Sequence, residues 1–243
     1  MERGEEEMYQ NVNVPDIFAY NEINPSLHSP NSPFDICFAQ TRDTLMDVDL
    51  YRRFLYNAIS RFRHSRTYKN YKSHLMQMGL DRCQVHANIR SNEEYDMATI
   101  EMHHNILTIF DVALVICEHM LNIHGAITSF DLCELLKMEH TQHHVCTVML
   151  SKTAHQLVHS DPNFIIPPSM CFGNWPEFLR IYHTGITPDL GYKIIRYIDN
   201  VTKNSESNKK QLLELLSIRE SVANWSGLND QPGLYKESGN GLS

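Results

Sequence analysis

The sequence predicts a mainly α-helical protein with a small α+β element, and three observations lead to this fold class. Apolar residues recur at helical spacing through most of a body that spans residues 46–200. Helix-opening signals stand at Thr128 and Thr187, each followed by an acid in the first turn. Only residues 85–89, 99–106 and 146–150 resemble strands. We therefore expect helices to carry the core.

The first part of the chain divides into an arm and two long helices. Residues 1–45 have an acidic start and scattered prolines without a sustained period, which predicts a flexible N-terminal arm. From residue 47 to about 80, apolar side chains keep helical spacing until Gly79 offers a break. Residues 107–123 are apolar on nearly every side, as in a buried helix, and stop near Gly125.

The second part of the body predicts two further helices and a polar tail. Thr128 and Ser129 offer an N-cap for a helix that extends to about Glu139, and Thr187-Pro188-Asp189 opens one that extends to about Ile198. Residues 201–243 are polar apart from a short amphipathic helix at 209–222. We expect this helix to dock on the body, pair with a copy of itself or bind a protein partner.

Composition excludes several classes of protein. The 243 residues carry a net charge of -8, which rules out a uniformly basic coat for nucleic acid. The six cysteines show no paired spacing, and the longest apolar run, at 106–117, contains Thr108 and Asp111. We therefore expect an intracellular, cytoplasmic protein with reduced thiols and no membrane partner.

One segment is basic although the chain is acidic overall. Residues 51–80 contain seven of the 21 Lys and Arg residues and no Asp or Glu. Aromatic residues alternate with these cations, so the segment could neutralise phosphates while its rings stack on bases. The alternative is a helix with buried rings and solvated cations. The candidate nucleic-acid-binding residues are Arg52, Arg53, Arg61, Arg63, Arg66, Lys69 and Lys72.

Histidine is concentrated in one region of the chain. Nine of the 14 histidines lie between His103 and His159. His103 and His104 end one strand candidate, whereas His155 and His159 follow another at a spacing of four. On a helix capped by Ser151, this spacing places two imidazoles on one face, where they can bind one divalent ion.

These two pieces resemble the HNH, or His-Me finger, endonucleases, whose core is two strands and a helix around one metal ion. Residues 101–104 are similar to the first element, and Val148-Met149-Leu150 leading to His155 and His159 is similar to the second. The resemblance implies an HNH-like ββα element at about residues 99–160, with a helical insertion. It also implies an origin in a phage or a mobile element.

The resemblance implies a residue role at each matching position. His103, His155 and His159 would bind one divalent metal ion, either Mg, Mn or Zn, and His104 would be the general base. The implied activity is metal-dependent hydrolysis of phosphodiester bonds, with DNA a more probable substrate than RNA. Cys146 stands where the family has its Asn, and the two pieces are far apart in the chain.

Other interpretations of the histidines remain open at this point. The cluster could be a structural zinc site formed by four histidines or by histidines with Cys146. His103 and His104 could also be one buried and one exposed residue with no metal. The second hypothesis is therefore a non-catalytic nucleic-acid-binding or assembly protein with a degenerate or structural metal site.

Overall fold

The protein is mainly helical, as the sequence predicts. A computed structural model describes residues 39–89, 99–161, 164–204 and 209–230. Within these ranges there are eight α-helices and two small antiparallel sheets. The helices are α1 (Val48–His64), α2 (Arg66–Gln77), α3 (Ile109–His124), α4 (Ser129–Thr141), α5 (Lys152–Ser160), α6 (Trp175–Ile181), α7 (Pro188–Asn204) and α8 (Lys209–Trp225). The strands are β1 (Gln40–Thr41), β2 (Ile100–His104), β3 (Ala126–Ile127) and β4 (Thr147–Ser151).

The helix predicted at residues 47–80 is two helices that meet at Ser65. The Ser65 backbone is extended, with ψ at 153°, so it ends α1 and begins α2. Its hydroxyl accepts a hydrogen bond from the Tyr68 N–H, while its own N–H donates to the Phe62 carbonyl. Serine at an N-cap satisfies helix donors that would otherwise lack a partner. Gly79, the predicted break, lies just beyond the end of α2.

Two capping boxes begin the central helices. The hydroxyls of Thr108 and Thr128 each accept a hydrogen bond from an Asp N–H three residues later, and that Asp carboxylate accepts one in return. Gly125 ends α3 with φ at 76°, a left-handed conformation that glycine adopts without a side-chain clash. The sequence predicted both helix starts and this stop.

Strands β2 and β4 form the sheet that carries the histidines. They are antiparallel, with Ile100 opposite Ser151 and His104 opposite Thr147. A strand was also predicted at residues 85–89, and this prediction is wrong. There the Cys83 N–H donates to the Ile89 carbonyl over 2.9 Å, which closes the segment into a loop.

The buried apolar residues form two clusters. The larger one is built from α1, α3, α4, α6, α7 and α8, with Phe62 and Leu136 among its fully buried side chains. The smaller one lies between α2 and the β2–β4 sheet and contains Tyr71, Leu75 and Met149. The sheet is therefore packed against helices rather than left at the surface.

A pair of buried histidines connects the sheet to α4. His140 is 0% exposed, and its Nδ1–H donates to the Leu136 carbonyl over 2.7 Å. The neutral ring must then accept at Nε2, so His104 donates its Nε2–H to His140 Nε2 over 2.9 Å. Burial lowers the pKa of His140 to about 4 and holds that of His104 well below its ordinary value.

Both ends of the described chain pack onto the body. The predicted N-terminal arm falls mostly outside the described residues, but β1 pairs with β3 and Leu45 is buried in the larger core. Helix α8 packs against α7 and buries Leu215 and Val222, so it docks back on its own chain. No described helix combines the length and the apolar character that crossing a bilayer requires.

Residues 183–185 lie so close to α3 that one methyl group added at Gly185 should strongly lower the stability of the fold. A Cβ at Gly185 would lie 2.0 Å from the Val115 carbonyl oxygen, so Gly185→Ala should lower the free energy of unfolding by about 3 kcal/mol or more. Gly79 has positive φ but nothing within 4 Å of an added Cβ, so Gly79→Ala should cost only about 1 kcal/mol. Urea unfolding of both variants measures these two losses in the free energy of unfolding. Equal losses in the two variants would contradict this packing.

The buried histidine pair predicts that acid destabilises the fold. The ordinary pKa of histidine is 6.5, whereas folded His140 titrates at about 4, so below pH 6.5 the unfolded chain takes up a proton that the folded chain does not. His140 should therefore contribute a loss of about 3 kcal/mol between pH 6.5 and pH 4. Urea unfolding across this range should show a shallower loss in His140→Gln.

The exposed His86 provides the control for this measurement, because His86→Ala also removes one histidine but leaves the buried pair unchanged. An identical pH dependence in wild type and His140→Gln would show that His140 does not stay neutral in the folded protein.

Candidate metal centre

Two elements position the three histidines of the candidate centre. Side chains alternate along a strand, so Glu101 and His103 of β2 point to the same face of the sheet. Helix α5 follows β4 directly, with the Ser151 hydroxyl accepting a hydrogen bond from the Ala154 N–H at its start. His155 and His159 lie one turn apart on α5, which packs against β2.

The three imidazoles form a nearly equilateral triangle. Their ring centroids are 5.0 Å apart for His103–His155, 5.1 Å for His103–His159 and 4.9 Å for His155–His159. One ring nitrogen of each residue lies within 4.8 Å of the other two. In the described part of the chain, no other group of three His, Cys, Asp or Glu residues meets in this way.

Glu101 orients one ring of the triangle. Its Oε2 lies 2.5 Å from Nδ1 of His155, so this nitrogen donates and the ring presents Nε2 to the other histidines. Nε2 of His155 is 3.2 Å from Nε2 of His159. Sequence reasoning did not assign Glu101 this role, although the alternation of β2 places it beside His103.

Electrostatics keep His103 neutral at physiological pH. Burial lowers its pKa to about 4, and the positive charges that His155 and His159 can carry act in the same direction. A neutral imidazole has a free lone pair, which is the form that binds a metal.

His104 does not belong to the triangle. It is the next residue after His103 on a strand, so its side chain points to the other face, where it donates to His140. The structure therefore brings together the three predicted metal ligands but separates them from the predicted general base. Sequence reasoning ended the helix near Glu139 and so missed the burial of His140 against Phe62, Tyr71 and His104.

Cys146 also lies outside the centre. It is buried, and its thiol forms a hydrogen bond with that of Cys171. Nearby, His144 interacts with the Glu139 carboxylate over 2.8 Å, which raises the pKa of His144.

The predicted nucleic-acid-binding residues lie on α1 and α2. Six of the seven are exposed, and Lys72 is partly buried. The guanidinium of Arg61 stacks on the Phe130 ring at 4.2 Å. Of the aromatic residues between these cations, Phe62 and Tyr71 are buried and cannot stack on bases, whereas Tyr56 is 55% exposed.

Comparison with known proteins corrects the endonuclease prediction. The family model described as "Bacteriophage G278-like virion protein" matches residues 10–225. No curated protein and no solved structure matches the chain.

This finding shows that the predicted HNH membership is wrong, together with the predicted endonuclease and hydrolase activity. Two strands followed by a helix do occur, but an HNH motif is not shown, because paired His and His-x-x-x-His also arise by chance where histidines are dense. The phage origin implied by the resemblance agrees with the match. The chain belongs to the bacteriophage G278-like virion protein family.

Proposed function

We propose that this virion protein is non-catalytic and binds nucleic acid through a basic surface, defined as the exposed cations of α1 and α2. The observation that carries the proposal is the unbroken positive charge of residues 51–80 in a chain whose net charge is -8. Electrostatic attraction to phosphates depends on such a local patch rather than on the total charge.

The cations of this surface are available to an external anion. Of the seven, none forms an ion pair with a carboxylate within 4.0 Å in the ranges that the structure describes. By contrast, other cations are paired within the fold, as Arg42 is with Glu118 and Arg219 with Asp199. Cations without a carboxylate partner repel each other on adjacent helices, and a bound polyanion relieves this repulsion.

Tyr56 adds a second kind of contact to this surface. It lies one turn after Arg52 and two turns before Arg63, so an exposed ring is flanked by two guanidinium groups on one face of α1. This arrangement suits a phosphate backbone with a base or sugar against the ring. The contacts are independent of base sequence, so we expect binding without sequence specificity.

The ligand that we propose is DNA, as the sequence predicted, although the same contacts could bind the phosphates of RNA. Binding without hydrolysis is the role expected of a structural component of the particle.

The cytoplasmic location expected from the sequence remains part of this proposal.

Removal of two surface cations should weaken binding in a salt-dependent way. Each phosphate contact contributes about 0.9 to the magnitude of the slope of log K against log salt on duplex DNA. The double variant Arg52→Gln with Arg66→Gln should therefore reduce the magnitude of this slope by about 1.8. Its affinity for DNA should fall roughly 10- to 50-fold near physiological salt. Fluorescence anisotropy with a labelled duplex at several salt concentrations measures both quantities.

The matched control removes two exposed cations from another helix. Arg196→Gln with Lys203→Gln on α7 changes the net charge by the same amount and should leave the slope unchanged. Equal losses in the two double variants, or no binding by wild type to DNA or RNA at low salt, would overturn the proposal.

A further inference from the structure

We propose that His103, His155 and His159 bind one zinc ion that fastens α5 to β2. The proposal rests on a different part of the molecule from the basic surface and does not depend on nucleic-acid binding. It gives the metal the role of joining the helix to the strand.

The spacing of the three rings agrees with tetrahedral coordination. With Zn–N bonds of about 2.0–2.1 Å, two ligand nitrogens of a tetrahedral site lie about 3.3 Å apart and the centroids of their rings about 5.2 Å apart. Nε2 of His155 and Nε2 of His159 are separated by 3.2 Å, and the three centroid distances are 4.9, 5.0 and 5.1 Å. The rings are therefore already placed to surround one ion.

The donor set selects zinc from the metals that the sequence allowed. Imidazole nitrogen suits zinc and other late transition metals, whereas magnesium and manganese favour carboxylate and carbonyl oxygen. Among the described residues no carboxylate enters the triangle, because Glu101 contacts the far nitrogen of His155. A carboxylate in that position fixes the tautomer and raises the basicity of the ligand. Water would complete the four ligands, since His159 is exposed.

A structural role follows from how weakly α5 is otherwise held. The helix has nine residues, fewer than an isolated helix needs for stability in water. Among them only Ala154 is buried, while Leu157 is 40% exposed. A metal that joins two side chains of α5 to strand β2 would compensate for this small apolar contact.

The test measures zinc binding by the full chain without a histidine tag. After dialysis against zinc and then buffer, elemental analysis should find one zinc per chain in wild type and in His86→Ala, and none in His159→Ala. His86 and His159 are both exposed histidines, so neither substitution disturbs the core, and circular dichroism verifies the fold. Zinc should raise the melting temperature of wild type and His86→Ala but not of His159→Ala, and millimolar magnesium should raise none.

Two further measurements separate coordination from adventitious binding. Cobalt(II) should give the intense visible absorption of a tetrahedral complex with wild type and not with His159→Ala. Glu101→Gln should weaken zinc binding about 10- to 100-fold while the stoichiometry stays at one. The proposal is overturned if wild type retains no zinc, or if His159→Ala retains as much zinc as wild type.

Discussion

The register of the β2–β4 pair is the constraint on which the rest of the arrangement depends. With Ile100 opposite Ser151 and His104 opposite Thr147, every side chain of β2 is assigned to a face. A slip by one residue would exchange the faces, so Glu101 would enter the apolar cluster and His104 would lose its partner on α4. Buried polar groups without partners are costly, and this cost selects the observed register.

Neighbouring histidines consequently have opposite environments. His104 joins a chain of hydrogen bonds that passes through His140 to the Leu136 carbonyl in the interior. His103 faces α5, where it meets two more histidines, one of which is hydrogen-bonded to the Glu101 carboxylate. The high histidine content therefore has two separate physical origins, namely neutral hydrogen bonding inside the core and a cluster of imidazoles at the sheet–helix junction.

The sequence predicted those parts of the fold that depend on local signals. The capping residues Thr108 and Thr128 and the stop at Gly125 act within a few residues of themselves, so the ends of α3 and α4 could be predicted. The placement of His155 beside His159 also followed from a local spacing of four, whereas the convergence of His103 with them was implied only by the HNH resemblance. The burial of His140 could not be predicted, because it depends on packing against residues far away in the chain. The break at Ser65 was hidden by continuous helical spacing on both sides.

The function was assigned wrongly because two short histidine patterns were given more weight than the strand alternation that separates His103 from His104.

The basic surface and the candidate metal centre use separate elements of one fold. Helix α1 buries Phe54, Leu55 and Phe62 on one face and presents its cations on the other, so an anion can bind there without disturbing the core. Helix α5 instead packs on β2 and β4 and has almost no apolar face of its own. Because substitutions without shared contacts have additive effects, the proposed zinc binding and the proposed nucleic-acid binding can be tested independently. The fold thus places a charged surface on α1 and α2 and the histidine cluster on a helix with one buried side chain, where a coordinate bond would add to stability.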